Sequence, residues 1–436
     1  MTKMKDSGIR WIGQIPDDWE IKKVKHAFIR KNEKAQQENP IVLSLARSGV
    51  KERDISNNEG QLAESYFNYN PVDIGDLLLN PMDLYSGANC SISKIKGVIS
   101  PAYINLKARE NVNPVFYDYY FKVQYWMMAF FAHGNGVSFE NRWTLNNETL
   151  QNYPIVYLPF ETQQKIATYL DEKCSQIEQT IQNQQQVIEK LKAYKQSLIT
   201  EAVTGKVKIQ NGKVAGKYEQ YKDSGVDYLA EIPASWTMKR LRYIGSCQNG
   251  ISKGGEYFGS GYPFVSYGDV YKNIVLPETV NGLIESTEEE RENYSVRTGD
   301  IFSTRTSETI EEVGFTSVCL KTIENATFAG FVIRVRPNTD DLIPDFSKYY
   351  FKSEAHRRFF VKEMNLVTRA SLSQDLLKRL PVLIPLKEEQ KAIAEYLDKT
   401  CTTIDSAIEQ KQKLIEKLTD YKKSLIYECV TGKKEV

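Results

Sequence analysis

Two stretches, IATYLDEKC from Ile166 to Cys174 and IAEYLDKTC from Ile393 to Cys401, decide how this chain is read. Tyr169 stands 227 positions before Tyr396, and the same offset brings Ile188-Glu189-Lys190-Leu191 onto Ile415-Glu416-Lys417-Leu418. It also brings SLITEAVTGK (Ser197 to Lys206) onto SLIYECVTGK (Ser424 to Lys433). A gapless match of this length is an internal duplication, which sets the architecture before any local reading.

Each copy has the pattern of one long helix, about Glu161 to Thr204 and about Glu388 to Thr431. The apolar positions Leu170, Cys174, Ile177, Ile181, Ile188, Leu191 and Leu198 follow steps of four and three, with polar Gln184 and Lys195 in the register. The second copy repeats them as Leu397, Cys401, Ile404, Ile408, Ile415, Leu418 and Leu425, with Lys411 and Lys422. This is a heptad seam. One stripe cannot be buried alone, so the two helices are expected to pair, antiparallel, as a rod on the order of 60 Å at ~1.5 Å per residue. Gly205 and Gly432 stand where a helix stop belongs.

The start of each half is duplicated as well. Lys5-Asp6-Ser7-Gly8-Ile9 matches Lys222-Asp223-Ser224-Gly225-Val226, Ile15-Pro16 matches Ile232-Pro233, and Trp19 matches Trp236, all 217 positions apart. Both ends of the repeat keep register while the bodies between them differ in length. Antiparallel helices then place the second entry motif at the end of the first helix, and the first entry motif at the end of the second. Each body reads as α/β (α+β). In the first, strands are expected at 41–45, 76–79 and 99–106 and an aromatic helix at 116–131. In the second, strands are expected at 264–267, 299–302 and 329–335 and an aromatic helix at 346–361. Gly75-Asp76 and Gly299-Asp300 signal a turn into a strand. The expected organisation is a first body at 1–157, a helix at 158–207, a second body at 208–384 and a helix at 385–436, a pseudo-twofold repeat.

Composition narrows the classes. The 436 residues are 41% hydrophobic, enough for sizeable cores rather than wholesale disorder. Fifty-seven basic against 56 acidic residues give a net charge of +1, so a nucleic-acid binder of this composition must gather its cations on one face. Six cysteines form no C-x-x-C pair, which argues for reduced thiols in a cytoplasmic chain. No apolar run is long enough for a bilayer, and no membrane partner is expected. His26, His133 and His356 lack ligand spacing and read as packing or surface residues, so no metal site is expected.

With Ile-Pro-x-x-Trp, a variable body, Gln163 with Ile166 to Asp171, the long helix, and Ser197 to Lys206, all repeated at Gln390, Ile393 to Asp398 and Ser424 to Lys433, the chain resembles the specificity subunit of type I DNA restriction-modification systems. The one departure is Thr162 where the second copy has Glu389. The resemblance implies two target-recognition domains that read the halves of a bipartite site in double-stranded DNA, separated by an antiparallel two-helix coiled coil. It implies docking of two modification (methyltransferase) subunits and of motor-nuclease restriction subunits. S-adenosylmethionine, ATP and magnesium would belong to those partners, with no catalytic residue and no cofactor in this chain.

The alternatives are a stand-alone DNA methyltransferase or nuclease with fused recognition domains, and a purely structural coiled-coil protein. Asn80-Pro81-Met82-Asp83 is the nearest approach to an amino-methyltransferase motif but lacks its second proline and its aromatic residue. It reads better as a strand-end turn. Thr204-Gly205-Lys206 and Thr431-Gly432-Lys433 lack the upstream glycine of a phosphate loop. Base reading needs paired donors and acceptors, and phosphate contact needs cations or hydroxyls. In the first body these gather at 80–96, with Asn80, Tyr85, Ser86, Asn89, Ser91 and Lys94, and at 133–144, with Asn135, Ser138, Asn141 and Arg142. In the second they gather at Ser303, Thr304, Arg305 and Thr306, and at Thr368, Arg369 and Ser371. The competing reading of each is an ordinary polar loop. The tyrosines of the aromatic helices read as core rather than as stacking platforms.

Overall fold

The computed structural model describes residues 3–56, 63–85, 89–137, 143–307, 313–363 and 370–436. The chain divides into two compact units, Met1–Gln184 with Gln412–Val436, and Gln185–Lys411. The division cuts through both long helices rather than at their ends. Each unit therefore holds a body, the first half of one helix and the second half of the other.

In the first unit, strand Glu20–Lys23 pairs antiparallel with Pro154–Tyr157. The central antiparallel sheet runs in the order Phe28–Arg30, Ile104–Ala108, Leu77–Leu79, Cys90–Ile92. Its aromatic helix starts at Pro114, where the Asn113 side chain accepts from the Val115 and Phe116 N–H groups and the proline sits in the first turn. Phe116, Tyr117, Tyr120 and Phe121 are each fully buried against the sheet. Burying such side chains stabilises by roughly 1.5–3 kcal/mol apiece, which is why this face is core. The expected single helix ends at Trp126. Met128 adopts a left-handed conformation, and a second short helix follows at Ala129–Ala132.

The second unit repeats this plan. Thr237–Arg240 pairs with Pro381–Ile384, and the sheet order is Gly245–Asn249, Val332–Pro337, Ile301–Thr304, Thr316–Val318. Its aromatic segment is likewise split, into Pro344–Tyr350 and Glu354–Glu363. The bodies differ beside the sheet. The first carries a hairpin, Leu43–Ala46 with Gly49–Glu52, whereas the second carries the eight-residue strand Phe258–Val265, paired with Leu283–Ile284 and, in parallel, with Thr327–Phe328.

Both Gly-Asp turns close in the same way. Asp76 Oδ2 accepts from the Asp73 N–H at 2.8 Å, and Asp300 Oδ2 accepts from the Arg297 N–H at 2.8 Å. Each buried carboxylate is neutralised by a cation, Lys31 at 2.7 Å for Asp76 and Arg336 at 2.6 Å for Asp300, as buried charge requires.

The long helices span Phe160–Val203 and Lys387–Val430. In the first unit, Leu170, Cys174 and Ile177 share a core with Leu425, Ile426, Cys429 and Val430. In the second, Leu198, Ile199, Ala202 and Val203 share a core with Ile393, Leu397 and Cys401. The start of one helix meets the end of the other in each case, the antiparallel arrangement expected from the seam. Two polar register positions form ion pairs: Lys195 bonds Asp405 at 2.6 Å in the second unit, and Lys422 bonds Glu178 in the first. These pairs are equivalent under the 227-residue offset.

The entry motifs close each unit. Gly205, with φ +73°, ends the first helix against Pro233 and Trp236, and Gly432, with φ +71°, ends the second against Pro16 and Trp19. A Cβ at either glycine would overlap the proline ring, so the motif needs glycine for both its conformation and its close approach. At the other end of each helix, Gln163 and Gln390 are fully buried. Gln163 accepts from the Asn113 N–H at 2.8 Å and donates to Leu158 O at 2.8 Å. Gln390 accepts from the Ile343 N–H at 2.9 Å and donates to Asp341 O at 2.7 Å. One amide thus ties helix, strand end and loop together in each unit.

Candidate nucleic-acid interface

The first unit brings its two candidate stretches together. The Leu84 N–H donates to Trp143 O at 3.2 Å, the Leu145 N–H donates to Pro81 O at 2.9 Å, and the exposed Tyr85 ring lies 6.1 Å from Phe131. Asn80 Oδ1 accepts from the Met82 N–H at 3.0 Å, and its backbone carbonyl accepts from Tyr125 Oη at 2.9 Å. Its amide oxygen thus serves the strand-end turn. Asn89 Nδ2 holds Ala46 O at 2.7 Å, and Ser91 lies within the sheet. Lys94 and Asn135 are exposed, and Asn135 makes a two-way backbone bridge with Thr144. Ser86, Ser138, Asn141 and Arg142 lie outside the described residues.

The second unit also joins its stretches, since Thr306 and Ser307 pair antiparallel with Ser371 and Ala370. The Leu372 N–H bonds Arg305 O at 2.7 Å, and the Arg305 N–H bonds Phe331 O at 2.9 Å. Two residues differ from expectation. Ser303 and Thr304 are buried, at 1% and 0% exposure, because the strand begun at Ile301 continues through them. Thr304 Oγ1 accepts from the Phe315 N–H at 3.0 Å, and burial closes both side chains to a DNA groove in this conformation. Arg305 and Thr306 are only half-buried. Thr368 and Arg369 lie outside the described residues.

The cysteines and histidines are occupied by packing. Burial pushes the Cys247 and Cys319 thiols up to about 11 and Cys429 up to about 12, away from the reactive thiolate. Burial, with Arg357 nearby, pushes the His356 imidazole down to about 3, and its ring stands edge-on to Phe351 and Phe360. His133 stands edge-on to Trp11 and Tyr153.

Residues 233–417 match the family model described as the type I restriction modification DNA specificity domain. The chain is 21% identical to the EcoBI specificity subunit of Escherichia coli, over 98% of this chain and 88% of that one. It is 22% identical to the MjaVIII specificity subunit of Methanocaldococcus jannaschii, over 96% and 94%. The chain is thus similar, over nearly its whole length, to type I restriction-modification specificity subunits. Solved structures agree in fold. A structure titled for complex assembly and conformational transition of the type I R-M system aligns with TM-score 0.71 at 16% identity, covering 95% of this chain and 98% of that one. The HsdS subunit from Thermoanaerobacter tengcongensis aligns with TM-score 0.53 at 16% identity, covering 96% and 98%.

One feature of the chain has no counterpart among the sequence-predicted residues. Lys23 and Lys25 in the first unit stand at the same repeat positions as Arg240 and Arg242 in the second. All four are exposed, while the residues between them, Val24 and Leu241, are fully buried. The signal was a basic residue at matching positions on both sides of an apolar one, next to each tryptophan motif. No helix of the described residues is long and apolar enough to cross a membrane.

Proposed function

We propose that this chain is a type I restriction-modification specificity subunit, that each of its units reads one half of a bipartite duplex target, and that the long helices seat two modification subunits, with restriction subunits joining that complex. The observation that carries this reading is the duplication of the frame around unlike bodies. Equivalent glycine–proline–tryptophan joints and equivalent buried glutamines hold two heads whose sheets carry different additions. A frame repeated so closely suits two copies of one partner, and heads that differ suit two unlike half-sites. The candidate loops supply the chemistry, with Tyr85, Lys94 and Asn135 in one head and Arg305 and Thr306 in the other.

The chain itself acts without catalysis, and the adenine-N6 transfer belongs to the modification subunits. The test is to map methylated adenines in DNA from cells expressing this chain with its modification subunits. Methylation at one two-part motif is expected, with none when this chain is expressed alone. Methyl transfer by the chain alone would favour the stand-alone enzyme.

A further inference from the structure

Positions flanking Val24 and Leu241 carry unneutralised cations in both units. Lys23 and Lys25 converge on one neutral acceptor, Asn152 Oδ1, at 3.5 and 3.0 Å. Arg240 and Arg242 line a cavity of about 610 Å³ with the exposed Tyr243, and the two carboxylates in its lining, Asp227 and Glu363, bond Lys362 and Arg379 instead. Among the described residues, none of the four takes a carboxylate. Their neighbours behave differently: Lys22 bonds Glu20 at 3.1 Å and lies over the Tyr157 ring, and Lys239 bonds Asp341 at 2.8 Å. Each unit thus neutralises the first cation of the stretch and leaves the next two open. In a chain whose net charge is only +1, cations kept open at equivalent places in two divergent bodies are the concentrated basic groups that a duplex binder requires.

Their placement relates them to the candidate reading loops. In the first unit the short helix Asn147–Asn152 starts just after Thr144 and ends at the amide that receives Lys23 and Lys25. In the second, Gln374–Arg379 starts just after Ser371 and leads to Leu380, whose carbonyl accepts from the Leu241 N–H at 2.9 Å. Six helical residues span about 9 Å. A duplex carries a phosphate charge every ~1.7 Å of its axis, so it presents phosphates across a span of that size.

We propose that Lys23 with Lys25, and Arg240 with Arg242, are two equivalent phosphate clamps for duplex DNA, one beside each reading head, which set affinity and leave sequence choice to the loops. This rests on the DNA-reading role proposed above. Contacts to phosphate position a protein on the duplex without reading bases, and each one removed lowers the salt dependence of binding by about 0.9 in the log–log slope.

The test is retention of a random-sequence duplex by the full chain, measured by fluorescence anisotropy between about 50 and 200 mM salt, the range over which such contacts are lost. The quadruple variant Lys23→Gln, Lys25→Gln, Arg240→Gln, Arg242→Gln is expected to have a slope shallower by roughly 3 to 4, and either double variant by roughly half of that. Exchanging lysine for arginine and arginine for lysine at the four positions guards against a folding artefact and is expected to keep the slope. With the modification subunits present, the quadruple variant is expected to methylate the same motif less efficiently. A wild-type slope retained by the folded glutamine variants overturns the clamps and leaves the DNA-reading role standing. Loss of modification-subunit binding without a change in slope also overturns them, because it assigns the cations to a protein partner. A wild-type chain that retains no duplex at any salt overturns the reading role, and the clamps with it.

Discussion

The two units are the same at their joints and different beside their sheets. At the joints, Gly205 meets Pro233 and Trp236, and Gly432 meets Pro16 and Trp19, with nearly equal φ angles and the same close approach. Beside the sheets, a four-residue hairpin strand in one unit stands against an eight-residue strand in the other. The frame is held by contacts too tight to vary, since a methyl group added at either glycine has nowhere to go. The heads differ in the elements added beside their sheets, and surface connections there accept changes in length at small entropic cost. On the proposed function, such a scaffold lets recognition change while the seats for other subunits stay the same.

The sharpest way to break this equivalence is at the joints. Trp236→Ala and Trp19→Ala are each expected to cost about 3–5 kcal/mol, the range for a buried tryptophan, as measured by urea unfolding. Gly205→Ala and Gly432→Ala are expected to cost roughly 2–4 kcal/mol each, combining a left-handed backbone penalty with overpacking against proline. A joint that accepted alanine without loss would show that the two closures are not equivalent.

A smaller effect should reveal where the units differ. Trp236 Nε1 donates to Glu389 Oε2 at 3.0 Å, whereas the matching position in the first unit is Thr162. Trp236→Phe is therefore expected to cost about 1.5 kcal/mol more than Trp19→Phe, the lower range for a hydrogen bond to a charged group. Equal losses in the two variants would remove that distinction.

Acid should also act unequally. His356 is buried and its folded pKa is depressed to about 3 from an ordinary 6.5. Between those values the unfolded chain binds the proton and the folded chain does not, so stability falls as pH drops through that window. His356→Gln is expected to flatten the pH dependence of the second unit's unfolding between about pH 6 and 4, as followed by hydrogen exchange. An unchanged profile would mean that other groups govern it. The smallest effect belongs to the interhelical ion pairs. Lys195→Met and Lys422→Met are each expected to change stability by under about 1 kcal/mol, because Asp405 and Glu178 are more than half exposed.

The frame was legible because it is written twice. The seam, the glycine stops and the Ile-Pro-x-x-Trp motif each found a partner at a constant offset, and their antiparallel pairing followed from the need to bury one stripe. The heads were less legible. The break at Met128 carries no glycine or proline to signal it, and beyond its left-handed backbone Phe130 packs into the core. Ser303 and Thr304 are polar by composition but lie in a strand interior, where the Phe315 backbone satisfies the threonine hydroxyl. The open cations at Lys23, Lys25, Arg240 and Arg242 were missed because their meaning depends on which neighbouring lysine is already paired, and that only the three-dimensional structure reveals.

The central claim is that one repeated frame sets the separation at which two unlike heads choose bases. It is tested most directly by inserting one seven-residue helical repeat after Gln184 and another after Lys411, equivalent positions where the compact units divide. A full heptad in both helices keeps the seam in register. With the modification subunits supplied, the methylated motif is predicted to keep both half-sites and to lengthen only the unread spacer between them. An unchanged spacer with full methylation would contradict the account.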